Sequence, residues 1–303
     1  MKLLVTGSAG QLGHELMREA PKAGAAVRGL GRGDLDIADA AAVAAAVTEA
    51  VGAGCDVVVN AAAYTAVDKA ESETARAYAV NRDGPGHLAA ACRRVGLPLI
   101  HISTDYVFDG TGTGAYDEAA PVAPLGVYGA SKEAGERAVR EGTPEHVILR
   151  TSWVYAAHGH NFVKTMLRLA GERDKLRVVD DQRGIPTAAV DIARAILSIA
   201  AKTLAARRTG GPVAWGTYHY AAEGPTTWCR FARTIIERAA SRTGRQPAVD
   251  AIATADFPTP ARRPANSVLD CGRVVRTFAP PRRPWQDGLD EVLNELLGAK
   301  GRA

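Results

Sequence analysis

Cysteine, aromatic residues and long apolar runs are all scarce in this chain, and each shortage removes a class of protein. Four cysteines stand in 303 residues, Cys55, Cys92, Cys229 and Cys271, with no C-x-x-C pair among them. That spacing offers neither a disulfide framework nor a thiolate zinc site, so free thiols in a reducing compartment are expected. No apolar stretch approaches the roughly 20 residues of a membrane span. Leu3-Leu4-Val5 runs at once into a glycine-rich turn, too short for a secretory signal. A cytoplasmic protein with no membrane partner is the expectation. A charge excess is missing too: 37 Lys and Arg stand against 33 Asp and Glu, a net +4. The basic residues come in pairs such as Arg207-Arg208, Arg262-Arg263 and Arg282-Arg283 rather than in a stripe, which argues against a nucleic-acid partner.

A core is present. Hydrophobic residues make up 47% of the chain, which excludes global disorder. Many are alanine, suited to helices packed closely on a sheet. In the first half, short apolar runs at 2–6, 25–30, 56–60, 97–103 and 146–151 read as strands. They alternate with helical stretches at 12–20, 40–50, 82–95 and 128–140. Val57-Val58-Val59 is continuous rather than alternating, the mark of a strand buried on both faces. This rhythm predicts an α/β fold with a Rossmann-type, doubly wound parallel sheet. After Ser152 the pattern loosens, with helices expected at 161–172, 191–201, 227–242 and 285–297. Strands are expected at 175–179 and 217–221, a Pro- and Arg-rich loop at 258–264, and a frayed tail at 300–303. A dinucleotide-binding domain at 1–151, with returning segments near 175–221, is expected beside a smaller mixed α/β substrate domain. The latter takes about 152–174 and 222–298.

Strand 2–6 leads into Gly7-Ser8-Ala9-Gly10-Gln11-Leu12-Gly13, a G-x-x-G-x-x-G pattern. Glycines there permit a tight turn, let backbone approach a pyrophosphate and let the helix pack close to the strand. The helix N-terminus adds N–H donors and a positive dipole. The pattern lies after a strand and before a helix, as dinucleotide binding requires. Gly31-Arg32-Gly33-Asp34 ends the second strand with both signs of charge. Arg32 suits a ribose 2′-phosphate, whereas Asp34 or Asp36 would repel one. Both NADPH and NADH are expected, with a slight preference for NADPH.

Tyr128 and Lys132 are four residues apart and share one helix face. A tyrosine titrates near 10 in water, about three units above neutrality. A nearby ammonium and a cationic nicotinamide both favour phenolate. Tyr128 then suits proton donation to a ketone and abstraction in reverse. Thr104, at the carboxyl edge of a strand, suits donation to a carbonyl oxygen gaining charge.

The order of these motifs resembles the extended short-chain dehydrogenase/reductases and, within them, the dTDP-4-dehydrorhamnose reductase family. The likeness rests on 60–71 (NAAAYTAVDKAE), 103–110 (STDYVFDG), 150–155 (RTSWVY), 161–167 (NFVKTML), 178–187 (VVDDQRGIPT) and 263–270 (RPANSVLD). It implies reduction of the C4 ketone of a dTDP-linked keto-deoxysugar, with Tyr128 as proton donor, Lys132 as its partner and ribose ligand, and Thr104 orienting the carbonyl. It places Gly10, Gln11 and Leu12 at the pyrophosphate, Asp36 and Ile37 by the adenosine, and Ala62, Ala63, Tyr64 and Thr65 beside the cofactor. It puts Asp105, Tyr106 and Trp153 at the sugar nucleotide and Arg262 or Arg263 at its diphosphate. Asn81 reads as a residue that holds helices together.

Related dehydratases carry Glu after Thr-Asp to remove a proton. Tyr106 stands there, which favours simple reduction. Ala156 departs from the family glycine after Trp-Val-Tyr, while Gly159 is kept. His158 and His160 lack a third ligand and read as a solvated loop. Some relatives bind Mg²⁺ through glutamates at a dimer contact, and Glu15 matches one such position. Val190 and Val292 stand at the others, beside Asp191 and Glu291, which leaves room for Mg²⁺ and for a homodimer. Two other readings stay open: a reductase of a different nucleotide-linked 4-keto-6-deoxyhexose, and a non-catalytic regulatory subunit of the methionine adenosyltransferase type.

Overall fold

The computed structural model describes residues 1–298, so the tail expected at 300–303 lies outside the described residues. The first half runs β1 (Lys2–Thr6), α1 (Gln11–Lys22), β2 (Ala26–Leu30), α2 (Ala40–Gly52), β3 (Val57–Asn60), α3 (Val67–Ala70), α4 (Thr74–Tyr78), α5 (Gly84–Val95), β4 (Leu99–Thr104), α6 (Val127–Gly142) and β5 (His146–Thr151). The second runs β6 (Val154–Tyr155), α7 (Phe162–Glu172), β7 (Lys175–Val179), β8 (Arg183–Gly184), β9 (Thr187–Ala188), α8 (Ala189–Arg208), β10 (Gly216–His219), β11 (Thr226–Thr227), α9 (Trp228–Thr243), β12 (Ala248–Ile252), α10 (Gly272–Phe278) and α11 (Trp285–Leu297).

Six strands form one parallel sheet in the order β10-β5-β4-β3-β1-β2. Successive side chains of a strand point to opposite faces, and both faces are dry. Leu3, Val5, Val57 and Val59 join a core with α1 and α8, while Leu4 and Val58 join a second core with α2 and α5. This is the Rossmann-type α/β arrangement that the alternating pattern predicts. Because β2 and β3 flank β1, the chain leaves the carboxyl ends of β1 and β3 in opposite directions, and a crevice opens there.

The structure departs from expectation in particular places. The helix expected from residue 82 begins at Gly84, preceded by a π-helical turn, Ala79–Asp83, that continues α4. Helix α8 extends to Arg208 because its buried face continues through Thr203 and Leu204. Strand β12 carries no clear burial alternation and α10 has only seven residues, so neither has a period to read. Strand β7 pairs with β12 outside the large sheet, whereas β10 joins that sheet beside β5. Helix α9 packs against α7 and α11. No helix among the described residues is long and apolar enough to cross a membrane.

Candidate active site

The first wall of the crevice is backbone. Gly7 sits at φ +73°, and a Cβ there would lie 2.6 Å from the Ala62 nitrogen. A Cβ on Gly13 would lie 2.1 Å from the Gly7 carbonyl oxygen. Neither position accepts a side chain, so the turn presses β1, the 61–62 loop and the start of α1 together. Gly10, Gln11 and Leu12 at the N-terminus of α1 line a cavity of about 400 Å³. A neighbouring cavity of about 440 Å³ is lined by Gly7, Gly10, Arg32, Asp36, Ile37, Ala62, Ala63 and Tyr64. Apart from Gly13, which packs behind the turn against Gly7 and Ser8, the cofactor-side residues singled out from the sequence converge on two adjoining cavities, with Thr65 lining the first. The acids at the end of β2 are committed locally: Asp34 accepts the Gly31 N–H at 2.8 Å and Asp36 the Ala38 N–H at 3.0 Å.

Asn81 ties this wall to α6. Its amide accepts from the Tyr64 N–H at 2.8 Å and donates to the Tyr64 carbonyl at 3.0 Å and to Ser131 Oγ at 3.0 Å. Ser131 in turn donates to the Tyr128 carbonyl at 2.8 Å.

Thr104, Tyr128 and Lys132 all line the 400 Å³ cavity with the glycine loop. Burial pushes the Tyr128 phenol up to about 12, opposed by a hydrogen bond with Thr104 and reinforced by the Asp105 carboxyl. In the chain by itself, desolvation is the largest influence on the phenol, which is protonated at neutral pH. That is the form which donates a proton. Burial pulls Lys132 down to about 8, opposed by Glu136. The amine donates to the Ile102 carbonyl at 2.6 Å and faces His101 Nε2 at 3.4 Å. One turn on, Glu136 is held by Arg150 through two hydrogen bonds of 2.8 and 2.7 Å, so its charge is already answered.

Thr104 Oγ1 donates to Asp105 Oδ1 at 2.9 Å and accepts from the Tyr106 N–H at 3.2 Å. Asp105 is buried, its second carboxylate oxygen has no partner, and desolvation raises it to about 7 against hydrogen bonds from Ser267 and Thr104. Tyr106 meets Tyr128 edge to face at 5.9 Å between ring centroids. Trp153, at φ +47°, stacks on Trp228 at 3.6 Å, and a Cβ on Gly184 would strike its ring. Both tryptophans line the cavity opposite the glycine loop. Beyond Tyr106 lies a second 400 Å³ cavity lined by Phe162, Met166, Arg173, Arg177, Trp228 and Arg263. Arg263 is also gripped by Asp68, at 2.9 and 2.8 Å. Arg262 lines a small neighbouring hollow with Tyr106 and Tyr128.

Glu15 is buried beside Arg18 at 3.3 Å. Among the nearby acids, Glu19 pairs with Arg194, Asp191 with Arg283, and Glu291 with both arginines. Arginines thus share this acidic cluster, while Glu15 Oε2 and Asp191 Oδ2 are buried without a hydrogen-bond partner. No three His, Cys, Asp or Glu side chains of the one chain converge as a metal set among the described residues. His158 stacks on His14 at 4.1 Å and reaches the Ala9 carbonyl at 3.0 Å, so the 156–161 loop rests on the glycine turn rather than standing free in solvent. Ala156 and Gly159 fit that contact: the Ala156 carbonyl accepts from Asn161, and Gly159 sits at φ +76° against Gln11.

Two site residues escape the sequence reading. Trp228 is hidden as the first residue of an amphipathic helix, and only its pairing with a tryptophan 75 positions earlier reveals it. His101 sits in β4 between Ile100 and Ile102, and a histidine flanked by two isoleucines in a buried strand is the signal that could have found it.

With this geometry in hand, comparison with known proteins is direct. Residues 1–297 match the model of the family described as RmlD substrate binding domain. The chain is 44% identical to a dTDP-4-dehydrorhamnose reductase of Sinorhizobium fredii, covering 98% of each. It is 42% identical to the enzyme of that name from Escherichia coli, again covering 98% of each. A Bacillus anthracis dTDP-4-dehydrorhamnose reductase solved in complex with NADP superposes with a TM-score of 0.87 at 36% identity, covering 97% of this chain and 99% of that one. A Thermus thermophilus UDP-glucose 4-epimerase, at 21% identity and a TM-score of 0.73, shares the fold. The chain therefore belongs to the RmlD substrate binding domain family.

Proposed function

We propose that this chain reduces the C4 keto group of dTDP-4-dehydro-L-rhamnose to give dTDP-L-rhamnose, using NADPH or NADH. The observation that carries the reading is the convergence of a helix N-terminus (Gly10, Gln11, Leu12) with Thr104, Tyr128 and Lys132 on one cavity. The glycine turn fits a dinucleotide, since its walls leave no room for a Cβ at Gly7 or Gly13. Gly10 to Leu12 would hold the pyrophosphate, Ile37, Ala62 and Tyr64 the adenosine, and Ala63, Thr65 and Lys132 the nicotinamide ribose. The bound nicotinamide supplies hydride.

The chain's own residues do the rest. Tyr128 holds a phenolic proton in a desolvated cavity and delivers it to the C4 oxygen as that oxygen gains charge. The phenolic O–H breaks and an O–H forms on the sugar. Thr104 positions the carbonyl oxygen, and Lys132 holds a second proton near the phenolate left behind. Tyr106, Trp153 and Trp228 wall the sugar, and the cavity beyond Tyr106 suits a nucleoside diphosphate, apolar surface for the base and arginines for the phosphates. The local commitment of Asp34 and Asp36, with Arg32 on the cavity wall, supports use of both cofactors with NADPH preferred.

The experiment is NAD(P)H oxidation measured across nucleotide-linked 4-keto-6-deoxysugars with each cofactor, the products assigned by NMR. Turnover is expected with the dTDP-linked keto sugar. Turnover only with a different 4-ketohexose would redirect the reading to that sugar, and no oxidation with any would remove the reductase reading in favour of a regulatory subunit.

A further inference from the structure

Beneath Lys132 lies a chain of polar groups that the reduction, as described, does not use. Asn60 Oδ1 accepts from Thr6 Oγ1 at 2.7 Å and from the Ala62 N–H at 3.1 Å. The Ala62 N–H can only donate and so needs the amide oxygen, which keeps the amide from turning over, and its NH₂ faces His101 Nδ1 at 3.0 Å. An NH₂ only donates, so Nδ1 accepts and carries no proton. A neutral ring then has its proton on Nε2, the nitrogen 3.4 Å from Lys132 Nζ. His101 is fully buried, and desolvation, with Lys132 and His146 nearby, keeps it neutral.

An N–H aimed at a lysine has opposite effects on its two protonation states. Toward an ammonium it presents the positive end of a dipole. Toward a free amine it donates to the lone pair while the amine still donates to the Ile102 carbonyl. We infer that His101 is a positioning residue for Lys132: with its ring proton fixed on Nε2 by Asn60 and Thr6, it supports the amine form and so lets Lys132 release a proton into the cavity. In turnover, which rests on the reductase reading, that proton restores the Tyr128 phenol. An N–H bond of the ammonium breaks, the phenolic O–H forms, and the lone pair left on Nζ accepts from His101.

The groups facing the pair do not supply this effect. Lys132 meets Glu136 on its own helix, already bound by Arg150 of β5, and shares the cavity with Tyr128 of the same helix and with Thr104 and Asp105 at the end of β4. His101 meets Asn60 of β3 and His146 of β5, and His146 Nδ1 is engaged at 2.7 Å with the Thr143 carbonyl.

The test uses the full chain labelled with ¹⁵N at histidine and lysine, read by NMR across the pH range of folding. His101 is expected neutral with its proton on Nε2 throughout. In His101→Leu the Lys132 midpoint rises by about one unit. In His101→Gln, whose amide both accepts and donates, it stays near that of the unaltered chain. Asn60→Asp serves if His101→Leu does not fold. Its carboxylate accepts from an Nδ1–H, which leaves a bare Nε2 facing the ammonium and raises the midpoint. The alkaline limb of the kcat profile moves with the midpoint. A proton on Nδ1, or one Lys132 midpoint in all the proteins, overturns the inference. Absence of turnover with a normal His101 tautomer and shifted midpoints would instead count against the reductase reading.

Discussion

On the cofactor side of the crevice the shape is set by backbone; on the substrate side it is set by side chains brought from distant parts of the chain. Gly7 and Gly13 fix the first wall by leaving no space for a Cβ, and the backbone that crowds these two glycines belongs to the same β-turn-α unit and the 61–62 loop. The second wall joins Tyr106 after β4, Trp153 at a positive φ after β5, Trp228 at the head of α9 and Arg263 held by Asp68. A local, backbone-built wall tolerates almost no substitution at its glycines. A mosaic of aromatic side chains tolerates change and adjusts what it accepts.

The largest expected effect lies on the glycine wall. Gly13→Ala puts a methyl 2.1 Å from the Gly7 carbonyl oxygen, where backbone rather than a flexible side chain must move. Overpacking of this kind costs about 1–3 kcal/mol, so cofactor affinity should fall about 5- to 150-fold. Isothermal titration with NADPH reads it, and an unchanged Kd would show that the turn does not set the cofactor site. A smaller effect is expected across the cleft. Trp228→Ala removes the ring stacked on Trp153 at 3.6 Å, and such pairs contribute about 0.5–1.5 kcal/mol. KM for the keto sugar should rise about 3- to 10-fold with cofactor Kd unchanged. A shift in both constants would mean that the two walls are not independent.

The same contrast explains what could be read in advance. The strands expected at 2–6, 146–151 and 175–179 match β1, β5 and β7, and the helix expected at 285–297 matches α11, because continuous apolar runs and clean helical periods mark them. The glycine turn and the Tyr128–Lys132 pair were legible because their chemistry is written in short spacings. Trp228 was not, since its partner is distant in sequence, and neither was β12, whose exposed positions carry no period. Spacing reveals the ammonium one turn away but not the burial that pushes the Tyr128 phenol up.

The central proposal is that Tyr128 delivers its phenolic proton to the C4 oxygen. Single-turnover reduction by Tyr128→Phe, with cofactor saturating, tests it most directly. General acid catalysis contributes about 10²–10⁴-fold, so the rate should fall by that factor while the cofactor Kd holds. A rate close to that of the unaltered protein would contradict the account.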